Sequence, residues 1–582
     1  MLLDDAASFM AMKLATEGLV RLRGPRVFPT QKQHVFPAWH TLPLSIKRQT
    51  RWITVDAVKG SRERIVILGS GWAGYVFSRD LAHKKFQPLV ISPRSYFVFT
   101  PLLNEATVGT TEFQSIVEPV RDHRKGVELF QGWADAIDFE KKTIQVEEAI
   151  FDPTVTKAMV AGGKGPTTRT KGQTFDLPYD KLVIAVGSYA QTFGTKGVNE
   201  HAMFLKDVGD GRKIRKRILE LFEVCGLPTF DDDLRKCLLH FAIVGGGPTG
   251  MEFAAELRDL INQDLAKLYP QLMKFVRITV FDVAPKVLPM FDESLASYAM
   301  QQFGRQRIEI KTSHHVLELR RGLPTGMPTQ HGLPPEERKG GAYTITTKED
   351  GEMGIGLCVW STGNAPNPLL EKAFGQPIKF PSKSAILQGD NELSSASEAP
   401  SAVEPGLNTA NLKWKVSRHP KIGSLLVTDR FQVQLEAENE SPGDSKDAQT
   451  PIRAIMRDVY AIGDCATLDS VQLPATAQVA NQEAQWLAKV FNNDRLDVEG
   501  FEFKDLGVMT YLGGSRALVQ GGQGTGQRDG REESPAFNLK GRRAYLLWKG
   551  TYLSMTMSWK NRVLVWVYWF ITKVFGRDIT RF

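Results

Sequence analysis

The chain is poor in cysteine. Its 582 residues contain four, Cys225, Cys237, Cys358 and Cys465, and no two of them form a Cys-x-x-Cys pair. In a chain of this length, such isolated cysteines are not typical of a disulfide framework and indicate thiols in a reducing compartment. Because no Cys/His cluster has the spacing of zinc ligands, we predict no metal site.

Long apolar runs are also missing. No run of about eighteen uncharged apolar residues occurs, so no transmembrane helix is predicted. The net charge is +8, but no nucleic-acid-binding motif accompanies it, and we predict no nucleic-acid partner. Hydrophobic residues at 42% and charged residues at 24% are typical of a globular protein. The length exceeds what one hydrophobic core serves and predicts two or more domains.

The first sixty residues are basic and acid-poor. Up to Arg51, eight lysines and arginines stand against Asp4, Asp5 and Glu17. This composition is typical of a mitochondrial presequence, although the early aspartates count against it. A disordered basic arm is the alternative.

Two glycine-rich motifs each follow a short apolar strand. Gly69-Ser70-Gly71-Trp72-Ala73-Gly74 follows residues 65–68, and Gly245-Gly246-Gly247-Pro248-Thr249-Gly250 follows residues 241–244. In G-x-G-x-x-G the first glycine permits a tight turn, the second admits a pyrophosphate, and the third lets helix and strand pack closely. The phosphates then lie at the positive end of the helix. Two such motifs indicate two different redox cofactors.

The residues after the next strands distinguish the two sites. Asp282 ends the predicted strand 278–281, where a carboxylate binds a ribose 2′-hydroxyl. It would repel the 2′-phosphate of NADPH, so we predict a preference for NADH. The corresponding strand of the first motif, 89–91, ends instead in Ser92-Pro93-Arg94. Arg94 is predicted to face the phosphates or adenine of FAD, with a solvent-facing arginine as the alternative.

Further motifs complete a recognisable set. They are 92–97, 99–103, 245–252, 288–291, 360–363, 461–464 and 477–483. With the first glycine motif, this set resembles type II NADH dehydrogenases, the single-subunit, non-proton-pumping NADH:quinone oxidoreductases of respiratory chains, and most closely the fungal mitochondrial members. The resemblance implies an α/β fold with two Rossmann-type dinucleotide-binding domains plus C-terminal membrane-binding helices. It also implies FAD and NADH as cofactors, ubiquinone as acceptor, a homodimer, and a location at the mitochondrial inner membrane. It leaves open whether the protein faces the matrix or the intermembrane space.

The resemblance and the composition together suggest a domain plan. Five segments rich in Gly, Ser, Pro, Glu and Lys are predicted to be surface loops: 157–174, 320–342, 384–420, 435–451 and 520–536. The predicted units are a presequence or basic arm (1–60), an FAD-binding domain in two parts (61–235 and 456–535, the latter with the quinone motif), an NADH-binding domain (236–370), an insertion-rich connection (371–455) and a membrane-anchoring segment (536–582).

The resemblance also assigns cofactor-binding residues. It places Thr100 and Pro101 near the flavin ring, and Asp464, after Gly463, at the start of a helix near the ribityl chain. Helix capping alone is the alternative for Asp464. Gly187 and the pair Thr362-Gly363 follow apolar strands and are predicted to bring backbone near FAD and NADH.

Three residues are assigned to catalysis. Glu252 is predicted on the first turn of the helix after the second motif. The resemblance places it near the nicotinamide and the flavin, where it would orient substrate or relay protons to the quinone. A carboxylate that is only stabilised by the helix dipole is the alternative. Gln478 and Gln482 are four residues apart, share a helical face, and resemble the quinone motif. Their neutral amides can bind a quinone carbonyl. Asn481 stands where some relatives carry histidine, so the proton-donating role of that histidine is not expected here.

From Tyr545 onward, tryptophan, tyrosine and aliphatic residues alternate with lysine and arginine. This pattern predicts an interfacial membrane anchor, and helices packed at a dimer interface are the alternative.

Two rival functions share the fold: a disulfide- or sulfide-oxidising flavoprotein, which needs a reactive cysteine pair, and a flavin-bearing scaffold similar to apoptosis-inducing factors.

Overall fold

A computed structural model describes residues 56, 58–122, 125–149, 172–327, 341–387, 412–437, 452–494, 499–522 and 537–580. Nearly all of the predicted presequence and most of the predicted surface loops lie outside these ranges. The strands are β1 Glu63–Leu68, β2 Phe86–Ser92, β3 Tyr96–Val98, β4 Val117–Pro119, β5 Glu128–Asp138, β6 Thr143–Glu148, β7 Thr174–Pro178, β8 Lys181–Ile184, β9 Ser188–Ala190, β10 Met203–Phe204, β11 His240–Val244, β12 Arg277–Phe281, β13 Ile308–Lys311, β14 Val316–Arg321, β15 Tyr343–Thr347, β16 Gly351–Ile355, β17 Leu357–Trp360, β18 Asn364–Pro366, β19 Ala385–Leu387, β20 Trp414–Val416, β21 Leu425–Val427, β22 Gln432–Ala437, β23 Arg453–Ala461, β24 Ala466–Leu468, β25 Val508–Gly513, β26 Arg516–Gln520 and β27 Asn538–Gly541. The helices are α1 Trp72–Asp80, α2 Leu103–Val108, α3 Val198–His201, α4 Val208–Cys225, α5 Asp232–Leu238, α6 Pro248–Leu260, α7 Ala266–Leu268, α8 Glu293–Arg305, α9 Pro368–Phe374, α10 Ala477–Asn492, α11 Arg542–Met555 and α12 Trp559–Phe575.

The largest sheet has a parallel centre in the order β23-β8-β1-β2-β5. Strand β1 lies in the middle, and its residues from Ile65 to Leu68 are fully buried. Continuous apolar strands of this kind are typical of a parallel sheet covered on both faces. Helix α1 follows β1 directly, so the first glycine motif forms the predicted strand–turn–helix unit.

Antiparallel strands extend this sheet at both edges. Strands β6 and β7 continue it beyond β5, while β22 and β21 continue it beyond β23. Strands β19 and β20 pair with β23 and β22, so the prediction of a surface loop over 384–420 is wrong at these two places. Each strand has only three residues, and their apolar side chains, such as the fully buried Trp414, are diluted in a polar segment.

A second sheet is parallel throughout, in the order β10-β17-β11-β12-β13. Strand β11 leads through the second glycine motif into α6, and β12 ends at Phe281, immediately before Asp282. The strand register predicted for Asp282 is therefore confirmed. Helix α6 continues through a π-helical turn, Ile261–Leu265, before α7.

The C-terminal part begins with the antiparallel sheet β25-β26-β27 and ends with α11 and α12. Aromatic packing joins sheet and helices, since the rings of Tyr511 and Trp548 stack with centroids 5.5 Å apart. Helix α12 is tied to the two-stranded sheet β3-β4 by Asn561, whose Nδ2 donates to Val117 O of β4 at 2.9 Å. Across the described ranges, none of the helices combines the length and apolarity needed to cross a bilayer.

Candidate active site

A cavity of about 530 Å³ opens at the carboxyl ends of β1 and β8. In open α/β sheets, ligands bind at this edge. The predicted site residues that line it are Gly69, Ser70, Gly71, Ala73, Arg94, Thr100, Pro101, Gly187, Thr249, Glu252, Thr362, Gly463 and Asp464. The predicted site residues outside its lining are Gly74, Gly245, Gly247, Gly250, Asp282, Gly363, Gln478 and Gln482.

The three glycines of the first motif have different surroundings. Gly69 has a φ of +109°, and a Cβ added there would overlap the carbonyl oxygen of Ala185. A Cβ at Gly74 would overlap the carbonyl oxygen of Gly69, whereas a Cβ at Gly71 would meet no described atom within 4 Å. The first and third glycines are thus needed for chain packing, and the second leaves open space. That space fits the pyrophosphate of FAD.

The second motif repeats this arrangement. Gly245 has a φ of +116°, and its added Cβ would lie 2.6 Å from Ser361 O. A Cβ at Gly250 would overlap the carbonyl oxygen of Gly245, while one at Gly247 would meet none of the described atoms within 4 Å. The same test therefore finds room for a second pyrophosphate, at the N-terminus of α6.

Asp282 is held against the second motif. Its Oδ1 accepts a hydrogen bond from the backbone N–H of Ala284 at 2.7 Å, and its Oδ2 accepts one from the N–H of Gly246. These bonds orient the carboxylate beside the turn, where the 2′-hydroxyl of a dinucleotide ribose is expected.

Arg94 is not the solvent-facing residue of the alternative interpretation. Its side chain is 18% exposed, lines the cavity, and pairs with Asp207 at 3.1 Å. Asp207 also accepts a hydrogen bond from Tyr96 Oη at 3.2 Å and caps α4. Arg94 is thus oriented by a nearly fully buried carboxylate.

Asp464 lies at the start of a short 3₁₀ helix, Gly463–Cys465, and its side chain does not cap that helix. The next α-helix, α10, begins only at Ala477 and is capped by Thr476. The carboxylate of Asp464 instead accepts a hydrogen bond from Ser188 Oγ at 2.8 Å and lines the cavity. This position favours a role toward a ligand hydroxyl over capping alone.

Lys206 is a cavity residue that the sequence analysis missed. Its Nζ donates to Asn364 Oδ1 at 2.7 Å and lies 3.4 Å from Ser188 Oγ. Burial lowers the Lys206 pKa, and the charge of Asp464 opposes that shift. No motif singles out this lysine, because its neighbours come from distant parts of the chain.

Glu252 is buried, with 8% of its surface exposed. It lies in the second turn of α6, whose first turn contains no acidic residue, so the predicted first-turn position is wrong. Its Oε1 accepts from Tyr511 N and its Oε2 from Asn104 Nδ2, both at 3.1 Å. Burial raises the Glu252 pKa to about 7. A carboxyl group with this pKa can hold or release a proton near neutral pH.

Gln478 and Gln482 share one face of α10, as predicted. Their Nε2 atoms both donate to Lys504 O, at 3.4 and 2.8 Å, and Lys504 N donates to Gln482 Oε1 at 3.0 Å. The amides thus hold a neighbouring segment, and Ala477 and Ala480 of the same helix line the cavity. Glu483, the residue after Gln482, accepts a hydrogen bond from Gly463 N at 2.6 Å, and burial raises the Glu483 pKa to about 7.

Comparisons with known proteins identify the family. A model described as pyridine nucleotide-disulphide oxidoreductase matches residues 63–387, and one described as NDH2 C-terminal domain matches residues 506–578. A probable NADH dehydrogenase of Dictyostelium discoideum is 32% identical over 92% of this chain and 94% of its own. The chain belongs to the type II NADH dehydrogenases. External alternative NAD(P)H-ubiquinone oxidoreductase B3 of Arabidopsis thaliana, a mitochondrial protein, is 31% identical over 90% of this chain and 91% of its own.

Solved structures confirm the fold. NDH2 from Plasmodium falciparum, solved in complex with NADH, superposes with a TM-score of 0.64 at 23% identity and covers 89% of this chain and all of its own. The predicted fold of two Rossmann-type units is therefore confirmed. The predicted family is confirmed by the Dictyostelium relative.

The cysteines of this type II NADH dehydrogenase argue against disulfide chemistry. All four are buried and free. Burial raises the Cys465 pKa to about 12, so its thiol stays protonated and unreactive. Within the described part of the chain, no group of three or more His, Cys, Asp or Glu residues could hold a metal ion.

Proposed function

We propose that this chain oxidises NADH and reduces ubiquinone through FAD, without pumping protons. The observation that carries the proposal is the repeated glycine geometry, in which Gly71 and Gly247 each leave room for a pyrophosphate. One cavity is lined both by the first glycine motif and by Thr249 and Glu252 of α6, the helix that follows the second motif. The Arabidopsis relative described above is named as an NAD(P)H-ubiquinone oxidoreductase, which supports ubiquinone as the acceptor.

The chain's own residues are proposed to bind and orient FAD and NADH and to supply a proton to the quinone. Bound FAD would supply the two-electron chemistry between NADH and the quinone. Gly71, Arg94 and Asp464 line the part of the cavity where it would be held, and Asp282 would select NADH. Glu252 is proposed to hold the proton that quinone reduction consumes.

The quinone is proposed to bind beside α10. Gln478 and Gln482 are proposed to form part of that site. Their side-chain amides would either bind the quinone directly or position the backbone of Lys504, to which they are hydrogen-bonded, beside the quinone. Ala477 and Ala480 of α10 line the same cavity, which supports a quinone site beside this helix.

The C-terminal helices are proposed to bind the mitochondrial inner membrane, and the enzyme is proposed to be a homodimer. On α12, one face points inward: Asn561 and Val565 are buried, and Trp569 Nε1 donates to Glu105 at 2.6 Å. The opposite face exposes large apolar side chains at helical spacing. They are Trp559, Val563, Trp566, Phe570 and Val574. Such a face, flanked by Lys560 and Lys573, fits the headgroup region of a bilayer.

Steady-state oxidation of NADH by the FAD-loaded protein, with and without a short-chain ubiquinone in lipid, tests the activity. Rapid oxidation that depends on quinone is expected. A flavin that NADH reduces but quinone reoxidises slowly would instead favour the scaffold function.

Sedimentation with anionic vesicles tests the membrane face. Trp566→Glu combined with Phe570→Glu should abolish binding, because both charges would enter the apolar interface. Leu268→Glu, at an exposed leucine outside α12, is the matched control and should bind like the unmodified protein. Equal binding by all three proteins would rule out this face as the anchor.

A further inference from the structure

Lys206 places a partly exposed ammonium group in the wall of the cavity. Its Nζ donates to Asn364 Oδ1 at 2.7 Å and lies 3.4 Å from Ser188 Oγ. An ammonium group has three N–H donors, so these two contacts leave one donor for another partner. Both contacts are to uncharged groups. A charge that is partly withdrawn from water without a bonded counter-charge favours an anionic ligand.

The carboxylates around Lys206 are engaged with other groups. Asp464 opposes the lowering of the Lys206 pKa by burial, but its carboxylate is bonded to Ser188 Oγ at 2.8 Å rather than to the ammonium group. Asp207, the next residue in the chain, pairs with Arg94 at 3.1 Å. Arg94 and Lys206 are the two cations of the cavity lining. Among the described residues, Arg94 is therefore neutralised by a bonded carboxylate and Lys206 is not.

The cavity distinguishes between the two open pyrophosphate spaces. Gly71 lines the same cavity as Lys206, whereas Gly247 lies outside its lining. Ser188, which contacts the ammonium group, also follows Ala185 by three residues, and the Ala185 carbonyl oxygen packs against the first glycine of the first motif. The ammonium group therefore shares a cavity with the space that fits the pyrophosphate of FAD.

The groups next to Lys206 lie on two sides of this space. Asp207 orients Arg94 at the carboxyl end of β2, where the adenosine ribose of a dinucleotide is bound in this fold. The 3₁₀ turn that contains Asp464 packs against the first turn of α1. Phosphates bind at the N-terminus of such a helix. Because Lys206 is adjacent to both places, the pyrophosphate is the anionic group of FAD that it can reach.

We propose that Lys206 binds the pyrophosphate of FAD, with Nζ donating its third N–H to a phosphate oxygen. The inference rests on the proposed function for the identity of the cofactor. The N-terminus of α1 supplies backbone N–H groups and a partial positive charge, and the lysine adds a full one. Asn364 and Ser188 then hold the ammonium group in position.

The experiment titrates FAD into the full, FAD-free chain and follows the quenching of flavin fluorescence. Lys206→Met should lower FAD affinity roughly 10- to 100-fold, which is the effect of one charge-assisted hydrogen bond. Lys206→Arg should retain most of the affinity, because a guanidinium group also binds phosphate. The difference between Lys206→Met and the unmodified protein should shrink at high salt, since salt screens the charge that only the latter carries. If Lys206→Met does not fold, Lys206→Gln removes the same charge.

Two controls separate phosphate binding from general charge and from chain packing. Lys196→Met makes the same substitution at an exposed lysine that pairs with Glu318 at 2.7 Å and lies outside the cavity lining, so it should leave FAD affinity unchanged. Asn364→Ala removes the side-chain partner of Lys206 but keeps the ammonium group. It should therefore cost much less FAD affinity than Lys206→Met.

Equal losses of FAD affinity in Asn364→Ala and Lys206→Met would overturn the proposal and leave Lys206 as a support for β18. An unchanged FAD affinity in Lys206→Met would overturn it as well. So would weaker binding of NAD⁺, titrated into the FAD-loaded variant, in place of weaker binding of FAD. Because the FAD titration contains neither NADH nor quinone, a failure of quinone reduction would overturn the proposed function without affecting this result.

Discussion

The two glycine motifs allow a prediction that separates folding from cofactor binding. Gly71 and Gly74 are three residues apart, yet only Gly74 is packed against backbone. An alanine Cβ at Gly74 would approach Gly69 O more closely than the 3.0 Å that real Cβ atoms respect. At Gly71, with φ −76° and ψ −167°, alanine is conformationally allowed, and its Cβ would meet no described atom. Gly74→Ala should therefore destabilise the fold, and Gly71→Ala should not.

The magnitudes follow from these contacts. Forcing α1 away from the carbonyl oxygen of Gly69 is an overpacking change that costs about 1–3 kcal/mol. Gly71→Ala should be neutral or stabilising by up to about 1 kcal/mol, since alanine restricts the unfolded chain. Its methyl group would, however, occupy the space where the pyrophosphate approaches. We expect FAD affinity to fall at least tenfold, equivalent to about 1.4 kcal/mol.

Thermal melts of the FAD-free protein measure the first effect, and quenching of flavin fluorescence on titration measures the second. The second motif supplies the matched control, because Gly247 has φ −74° and ψ 176° and is equally open. Gly247→Ala should weaken NAD⁺ binding and leave FAD binding and the melting temperature unchanged. A Gly71→Ala variant that melts as early as Gly74→Ala, or that weakens the binding of NAD⁺ rather than of FAD, would contradict these assignments.

Three further predictions concern charged residues. Asp282→Asn should raise the NADPH/NADH ratio of kcat/KM at least about tenfold, because it removes the repulsion of the 2′-phosphate; an unchanged ratio would contradict the assignment. Burial raises the Glu252 pKa from 4.5 to about 7, so its stabilising contribution is full below pH 4.5 and is lost as the pH rises through 7. Urea unfolding of Glu252→Gln should show a smaller loss of stability between pH 5 and 8, whereas an identical pH dependence would contradict the shift. Arg577 Nη1 pairs with Asp264 Oδ2 at 2.8 Å, and both side chains are buried. Arg577→Met should cost about 3–5 kcal/mol of unfolding free energy, measured in urea, because it strands the carboxylate; Lys560→Met, at a residue of α12 outside this pair, should cost little.

The sequence predicts those features that depend on neighbours along the chain. The strands before Gly69 and Gly245 are continuous apolar runs, and the turns need glycine for backbone reasons, so both βα units could be predicted from local pattern. The position of Asp282 could be predicted because it directly follows an apolar strand. Strands β19 and β20 could not, since three residues in a polar segment carry too little periodicity.

The missed cavity residues depend on contacts between distant segments. Asn104 meets Glu252 across 148 positions, and Tyr511 meets it across 259. Lys206 reaches Asn364 across 158 positions. Neither Asn104 nor Lys206 belongs to a chemical motif, and asparagine or lysine on a helix or loop is usually a surface residue. Their role emerges only when the two sheets are brought together.

The contacts of Glu252 also connect the site to the C-terminal helices. The N–H that holds Glu252 belongs to Tyr511, whose ring stacks on Trp548 of α11. Trp548 in turn packs against Tyr552, with ring centroids 5.0 Å apart, and Tyr552 lines the cavity. Helix α11 is therefore part of the wall around Glu252. A shift of α11 would move Tyr552 in the cavity wall and the Trp548 ring on which Tyr511 stacks. The segment proposed to bind lipid therefore also packs against the residues that surround the carboxyl group proposed to hold the proton.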